Sequence, residues 1–162
     1  MKTSASPYER NANRLTIFLL ITLVGVSVTG SILLTGPIPT HFNGNGQADH
    51  FGSPDTLLIL PIVCLCIVGV LWAIRYTPTE LMNFPGPRTP DNTVHQRQNF
   101  DQLFATIRFL VAGLFLCIAG QISWASIHHQ KQVSLWPSFL FIALVGVSTV
   151  ISVIRAYKLS AR

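Results

Sequence analysis

The sequence predicts an all-α integral membrane protein: a bundle of four membrane-spanning helices, with the N and C termini cytoplasmic and an ordered outer loop between the first two helices. Three observations carry this reading. Charged side chains make up 10% of the 162 residues and hydrophobic ones 49%, with a mean hydropathy of +0.48. A soluble domain carries roughly 25% charged residues, so there is too little polar surface here to cover a water-soluble globule. Four blocks free of charged side chains, 15–34, 56–74, 109–127 and 135–154, are each 19 or 20 residues long. At 1.5 Å per residue such helices cross a hydrocarbon core of roughly 30 Å. Finally, of the 11 Lys and Arg only Lys131 lies in an outer segment. Lys2, Arg10, Arg14, Arg75, Arg88, Arg97, Arg108, Arg155, Lys158 and Arg162 all fall in the tails or the middle loop, which the positive-inside rule places in the cytoplasm. The net charge of +5 is therefore a topology signal, and no nucleic-acid partner is expected.

Residues 1–14, with Ser4, Ser6, Pro7, Asn11 and Asn13, read as a short cytoplasmic tail. The first span, 15–34, has small residues after an apolar run, as a signal peptide does. It lacks an A-x-A cleavage site and stays apolar through Ile32, Leu33 and Leu34, so it is read as a retained helix. Gly25, Ser27, Thr29 and Gly30 offer positions where a neighbouring helix can approach closely, as do Gly113, Ala119, Gly120 and Ser123 in the third span. Gly146, Ser148, Thr149 and Ser152 do the same in the fourth, where Gly146 is expected at a tight seam. Cys64, Cys66 and Cys117 lie inside apolar blocks and read as small hydrophobes rather than a secreted disulfide framework.

The cytoplasmic loop, 75–108, opens with Pro78, Pro85, Gly86, Pro87 and Pro90, which oppose regular helix. Thr93 and Gln96 then have capping-box spacing, and Phe100, Leu103, Phe104 and Ile107 recur at helical intervals, so an amphipathic helix should run into the third span. A tail, 155–162, follows the fourth. Within the spans the strongly polar side chain is Gln121, expected to bond across the bundle. No Asp, Glu, Lys or Arg lies mid-membrane, which disfavours a transporter acting alone. A transporter path would need Gln121, Thr29 and Ser148 to face one another. No metalloprotease, nucleophile-elbow or phosphate-loop motif occurs, so no catalytic residue and no cofactor is assigned.

The informative segment is the outer loop, 35–55. It has no Lys or Arg, stiffens at Pro37 and Pro39, and places Phe42 and Phe51 on either side of Asn43-Gly44-Asn45-Gly46. Residues that tolerate positive φ let it fold back and bring His41 to Asp49. Its run Ile38-Pro39-x-His41-Phe42-Asn43-x-x-Gly46-x-x-Asp49-x-x-Gly52-Ser53, with Pro61 in the next span, resembles the bacterial membrane domain of unknown function numbered 1648. The resemblance covers about residues 15–74 and marks Pro39, His41, Asn43, Gly46, Asp49, Gly52 and Pro61 as the structural motif. That domain also occurs at the N-terminal end of immunity proteins of the SdpI type, which protect cells from a secreted peptide toxin and take part in signalling. The resemblance thus implies a multi-pass protein of the bacterial inner (plasma) membrane, with a role in toxin immunity or signalling. Where the domain usually has a basic residue after the last glycine, this chain has Pro54 and Asp55, and its second half carries no motif of the additional SdpI region.

His41, Asp49 and His50, with His128 and His129 in the other outer loop, have the chemistry to bind a divalent cation. Their spacing fits no standard zinc motif, and a His41–Asp49 hydrogen bond that closes the loop, or a proton-sensing role, accounts for the same residues. The leading reading is a non-enzymatic membrane protein whose outer loop recognises something at the bilayer surface. A transporter component is the alternative, and a metal-dependent membrane enzyme the second alternative. The expected partners are the lipid bilayer and either a second copy or another membrane protein, with the ligand unassigned.

Overall fold

The computed structural model describes residues 5–86 and 89–160. Lys2, Ser4, Pro87, Arg88 and Arg162, used in the sequence reading, lie outside them. The order is α1 (Pro7–Leu33), β1 (Ile38–Phe42), β2 (Ala48–Gly52), α2 (Ile59–Ala73), α3 (Pro90–Ile127) and α4 (Trp136–Ser160). A 3₁₀ turn, Pro54–Leu58, leads into α2, and two more, Ile74–Tyr76 and Thr79–Leu81, follow it. Among the described residues, four helical segments are long and apolar enough to cross a membrane. The ordered loop between α1 and α2 folds back as an antiparallel two-stranded hairpin.

Helix α1 starts earlier than the polarity of the first residues suggested, so residues 7–14 are helix and not tail. The reason is a capping box: Glu9 N donates to Ser6 Oγ and Ser6 N to Glu9 Oε2, both at 3.2 Å, with Pro7 in the first turn. Helix α3 likewise begins at Pro90, capped by Thr89, whose Oγ1 accepts from Asn92 N at 3.1 Å. The Thr93–Gln96 box is therefore not the cap. Instead the Gln96 side chain reaches the Ala156 carbonyl of α4 at 2.7 Å. With 38 residues α3 is roughly 57 Å long, nearly twice the hydrocarbon thickness. It runs on past the span, as its amphipathic first third requires.

Side-chain bonds order the ends of the bundle. Asn99 donates to Ser152 O and Oγ, Tyr8 lies 2.7 Å from Thr106, and Arg108 donates to Asn13. Arg108 also donates to Leu71 O, so the start of α1, the end of α2, the first half of α3 and the end of α4 share one end, and the hairpin and the α3–α4 connection share the other. The core between them is Leu23, Cys64, Val68, Ala112 and Ala119, contributed by α1, α2 and α3. Helix α4 packs on α3, and none of its most apolar window is buried.

The small-residue positions divide. Ser27, Gly30 and Ser152 are buried, and a Cβ on Gly30 would stand 2.6 Å from Leu57 Cδ1. Gly25, Thr29 and Gly146 face outward, and a Cβ on Gly146 meets open space. The expected seam at Gly146 is thus corrected: the close approach between α3 and α4 is at Gly113, where a Cβ would stand 2.8 Å from Phe141 Cε1. Gln121 does not bond across the bundle. Its amide donates to Cys117 Sγ one turn back on its own helix, at 3.3 Å. Among the free cysteines Cys64 is buried, Cys66 exposed and Cys117 intermediate.

Replacing Gly113 by Leu should therefore lower the melting temperature of the detergent-solubilised protein through overpacking, by the equivalent of about 1–3 kcal/mol. Gly146→Leu should leave it unchanged. Equal melting temperatures for the two variants would remove Gly113 from the seam.

Candidate functional site

The hairpin is built from the inside outward. Ile38 and Leu57 are buried with Ile122 of α3, and Phe42 packs partly buried against the same cluster, which fixes the base of the hairpin on the bundle. Pro39 is buried opposite Phe51, which is itself exposed. Asn43 organises the turn: its Oδ1 accepts from Asn45 N at 2.9 Å and Gln47 N at 3.1 Å, while its own N–H donates to Gln47 O at 2.9 Å. Gly46 has φ +77° and lies so close to the α3–α4 connection that a Cβ there would stand 2.2 Å from Val133 O. Three further bonds clasp the tip to that connection. Ala48 N donates to Lys131 O at 2.7 Å, Val133 N to Gly46 O at 2.8 Å, and Gln132 Nε2 to Asn45 O at 3.2 Å.

The register explains the chemistry of the face. Ile38 pairs with Gly52, Pro39 with Phe51, His41 with His50 and Phe42 with Ala48, so Thr40 and Asp49 are each an extra residue in their strand. In a regular strand Asp49 and His50 would point to opposite faces. The irregularity lets both side chains meet His41 on one face, as a β-bulge does when it breaks the alternation. Nδ1 of His41 donates to Asp49 Oδ1 at 2.5 Å, and Nδ1 of His50 donates to the same oxygen at 3.2 Å. The two rings meet edge to face, 5.7 Å between centroids. An ionised carboxylate only accepts hydrogen bonds, which places a proton on both Nδ1 atoms.

The hydrogen bond from His41, followed by that from His50, holds the Asp49 carboxyl below its ordinary value. A carboxylate whose value falls on folding adds stability above the ordinary carboxylate range and loses it as pH drops through the lowered value.

The structure thus brings His41, Asp49 and His50 together and leaves the other two candidate ligands elsewhere. His128 stacks on Trp124 with ring centroids 3.9 Å apart, its Nδ1 donating to the Trp124 carbonyl at 3.0 Å, and His129 adopts φ +52° at the end of α3. Neither belongs to the three-residue cluster. Pro61 is buried in the first turn of α2, where a missing N–H costs no α-helical hydrogen bond. After Gly52, Ser53 caps the 3₁₀ turn: its Oγ accepts from Asp55 N at 3.4 Å. The polar residues that a path through the bundle would use do not converge. Thr29 faces outward, Gln121 bonds within its own helix, and Ser148 Oγ donates to Leu144 O.

Residues 16–65 match the family described as Domain of unknown function (DUF1648). The matched stretch runs from α1 through the hairpin into α2 and contains every motif residue named above. No curated protein and no solved structure matches the chain.

Sequence reasoning missed the ionic cluster at the opposite end. Glu9, Arg97, Asp101 and Arg108 are buried. Arg75 Nη1 lies 2.9 Å from Glu9 Oε1, and Arg97 Nε donates to both oxygens of Asp101 at 3.0 and 3.1 Å. The i,i+4 spacing of Arg97 and Asp101 was a usable signal. Nothing local in the sequence joins Glu9 to Arg75.

His41→Ala and Asp49→Ala should each raise the rate of protease cleavage within residues 40–52. The double variant should cost less than the sum of the two, since the second change removes a partner already lost. Strictly additive effects would mean that the pair does not close the hairpin.

Proposed function

We propose that this chain is a non-enzymatic, multi-pass plasma-membrane protein whose outer hairpin recognises a membrane-active peptide, in toxin immunity or in signalling that such a peptide triggers. The observation that supports this is the clasped hairpin tip. Together with the α3–α4 connection and the first turn of α4 it borders a cleft of about 870 Å³, lined by Gly44, Asn45, Val133, Leu135, Trp136 and Phe139 among others. Polar backbone on one side and exposed aromatic surface on the other suit an amphipathic segment lying in the interface, where aromatic rings are favoured. The choice of a peptide rests on the resemblance to the amino-terminal region of SdpI-type immunity proteins, which falls within the stretch that matches DUF1648. The orientation belongs to the same proposal: hairpin outside, both termini inside, on the strength of the Lys and Arg distribution.

Two measurements test it. In a chain whose native cysteines are replaced, an impermeant thiol reagent should label a cysteine at Gln47, and not one at Ser160, in intact cells. The opposite pattern would invert the protein and end the recognition reading. Toxin-sensitive bacteria producing the full chain should survive challenge with a secreted peptide toxin of the SdpI-associated kind better than cells producing Gly46→Val at matched membrane abundance. That variant forces a side chain into Val133 O at a left-handed backbone position. Equal survival of both, or no protection by the native chain, would count against the hairpin as the recognition element.

A further inference from the structure

We propose that His41, Asp49 and His50 form a binding site for a divalent transition-metal ion of the zinc class. The inference stands apart from peptide recognition and does not depend on it. One ligand atom from each of the three residues lies within 4.8 Å of the others. Two imidazole nitrogens and one carboxylate oxygen are a donor set suited to zinc and its neighbours, and a poor one for calcium or magnesium, which require more oxygen ligands.

Closing the hairpin needs a single His–Asp contact, yet the strand irregularity also brings a second imidazole, His50 on the same strand as Asp49, against that carboxylate. Both Nδ1 atoms are aimed at one carboxylate oxygen, so three donors converge on a small volume. Around a tetrahedral zinc with bonds near 2.0–2.1 Å, donor atoms stand roughly 3.3 Å apart. The 3.2 Å His50–Asp49 separation already matches, and the 2.5 Å His41–Asp49 one must open by under roughly 1 Å. The side chains are 63%, 38% and 76% exposed for His41, Asp49 and His50, so rotation about their side-chain bonds can supply that opening. On binding, each neutral imidazole moves its proton from Nδ1 to Nε2 and Nδ1 becomes the ligand, with water completing the coordination. No Lys or Arg occurs between residues 36 and 55, and the basic residue brought to the hairpin, Lys131, is held there through its backbone carbonyl. The same exposure makes the ion exchangeable, in contrast to a closed structural site with four protein ligands.

The test is zinc titration of the full chain in detergent micelles, read by competition with a chromophoric chelator. The native protein should bind one equivalent. His50→Gln and Asp49→Asn should each weaken binding at least roughly tenfold, since even outer-shell partners of a metal are worth about 10–100-fold. The double variant His128→Gln with His129→Gln should bind as the native chain does. His50 is the most exposed of the three, so its variant should keep the hairpin, which an unchanged cleavage rate within residues 40–52 will verify. No zinc binding by the native protein, native affinity in His50→Gln and Asp49→Asn, or loss confined to the His128 and His129 variant would each overturn the proposal.

Discussion

Two arginines of α3 hold the end of α2 and the turn that follows it, and the arrangement of the bundle depends on them. The last carbonyls of a helix have no partner within it and carry the negative end of its dipole. Arg108 Nη1 donates to Leu71 O at 3.1 Å, and its guanidinium lies 5.7 Å over the Trp72 ring. Arg97 donates to Thr77 O at 2.7 Å and to Arg75 O. Each guanidinium has a second tie: Arg97 to Asp101, and Arg108 to Asn13 of α1. Arg75 pairs in turn with Glu9, whose side chain completes the capping box of α1. Three helices are thus joined by planar, multiply donating groups that a lysine could not replace. Removing one partner of such a buried pair strands the other, at a cost of about 3–5 kcal/mol.

The hairpin end is held by a different kind of contact. Ile38, Leu57 and Ile122 give it a dry base, and the backbone bonds of Gly46 and Ala48 to the α3–α4 connection give it a fixed tip. Between the two, the strand irregularities at Thr40 and Asp49 break the regular alternation of faces. Asp49 can therefore meet both His41 and His50 because the register is imperfect. Were the register of the Ile38–Gly52 and Phe42–Ala48 pairs unbroken, His41 would still oppose Asp49, but His50 would stand opposite Thr40 on the other face.

The four helices were legible from charge-free length, and the His41–Asp49 pairing from the Asn-Gly turns between them. Both rest on local composition, which a chain displays directly. The strands were not legible as strands: Ile38–Phe42 contains a proline and Ala48–Gly52 ends in glycine, and each is five residues long. The small-residue positions were only half informative, because Gly25 and Gly146 look like Gly30 and Gly113 until the facing helix is known. The ionic cluster was least legible. Arg75, Arg97 and Arg108 count equally as evidence for topology whether they are solvated or buried, and only the fold distinguishes these.

That failure has a physical cause which reaches beyond these residues. In lipid an exposed leucine costs almost nothing, because the acyl chains are as apolar as a protein core. Phe139, Leu140, Ile142, Val147 and Val150 of α4 are all exposed, and in water such a surface would have to find a partner. Hydrophobic burial therefore discriminates little between one packing of the spans and another. The choice passes to contacts that lipid cannot imitate: guanidinium on carbonyl, the amide of Asn99 on Ser152, Phe141 over Gly113, and backbone pairing at the hairpin tip. These contacts lie mostly at the two ends of the helices. In this chain the residues that specify the structure are therefore largely outside the segments that identify it as a membrane protein.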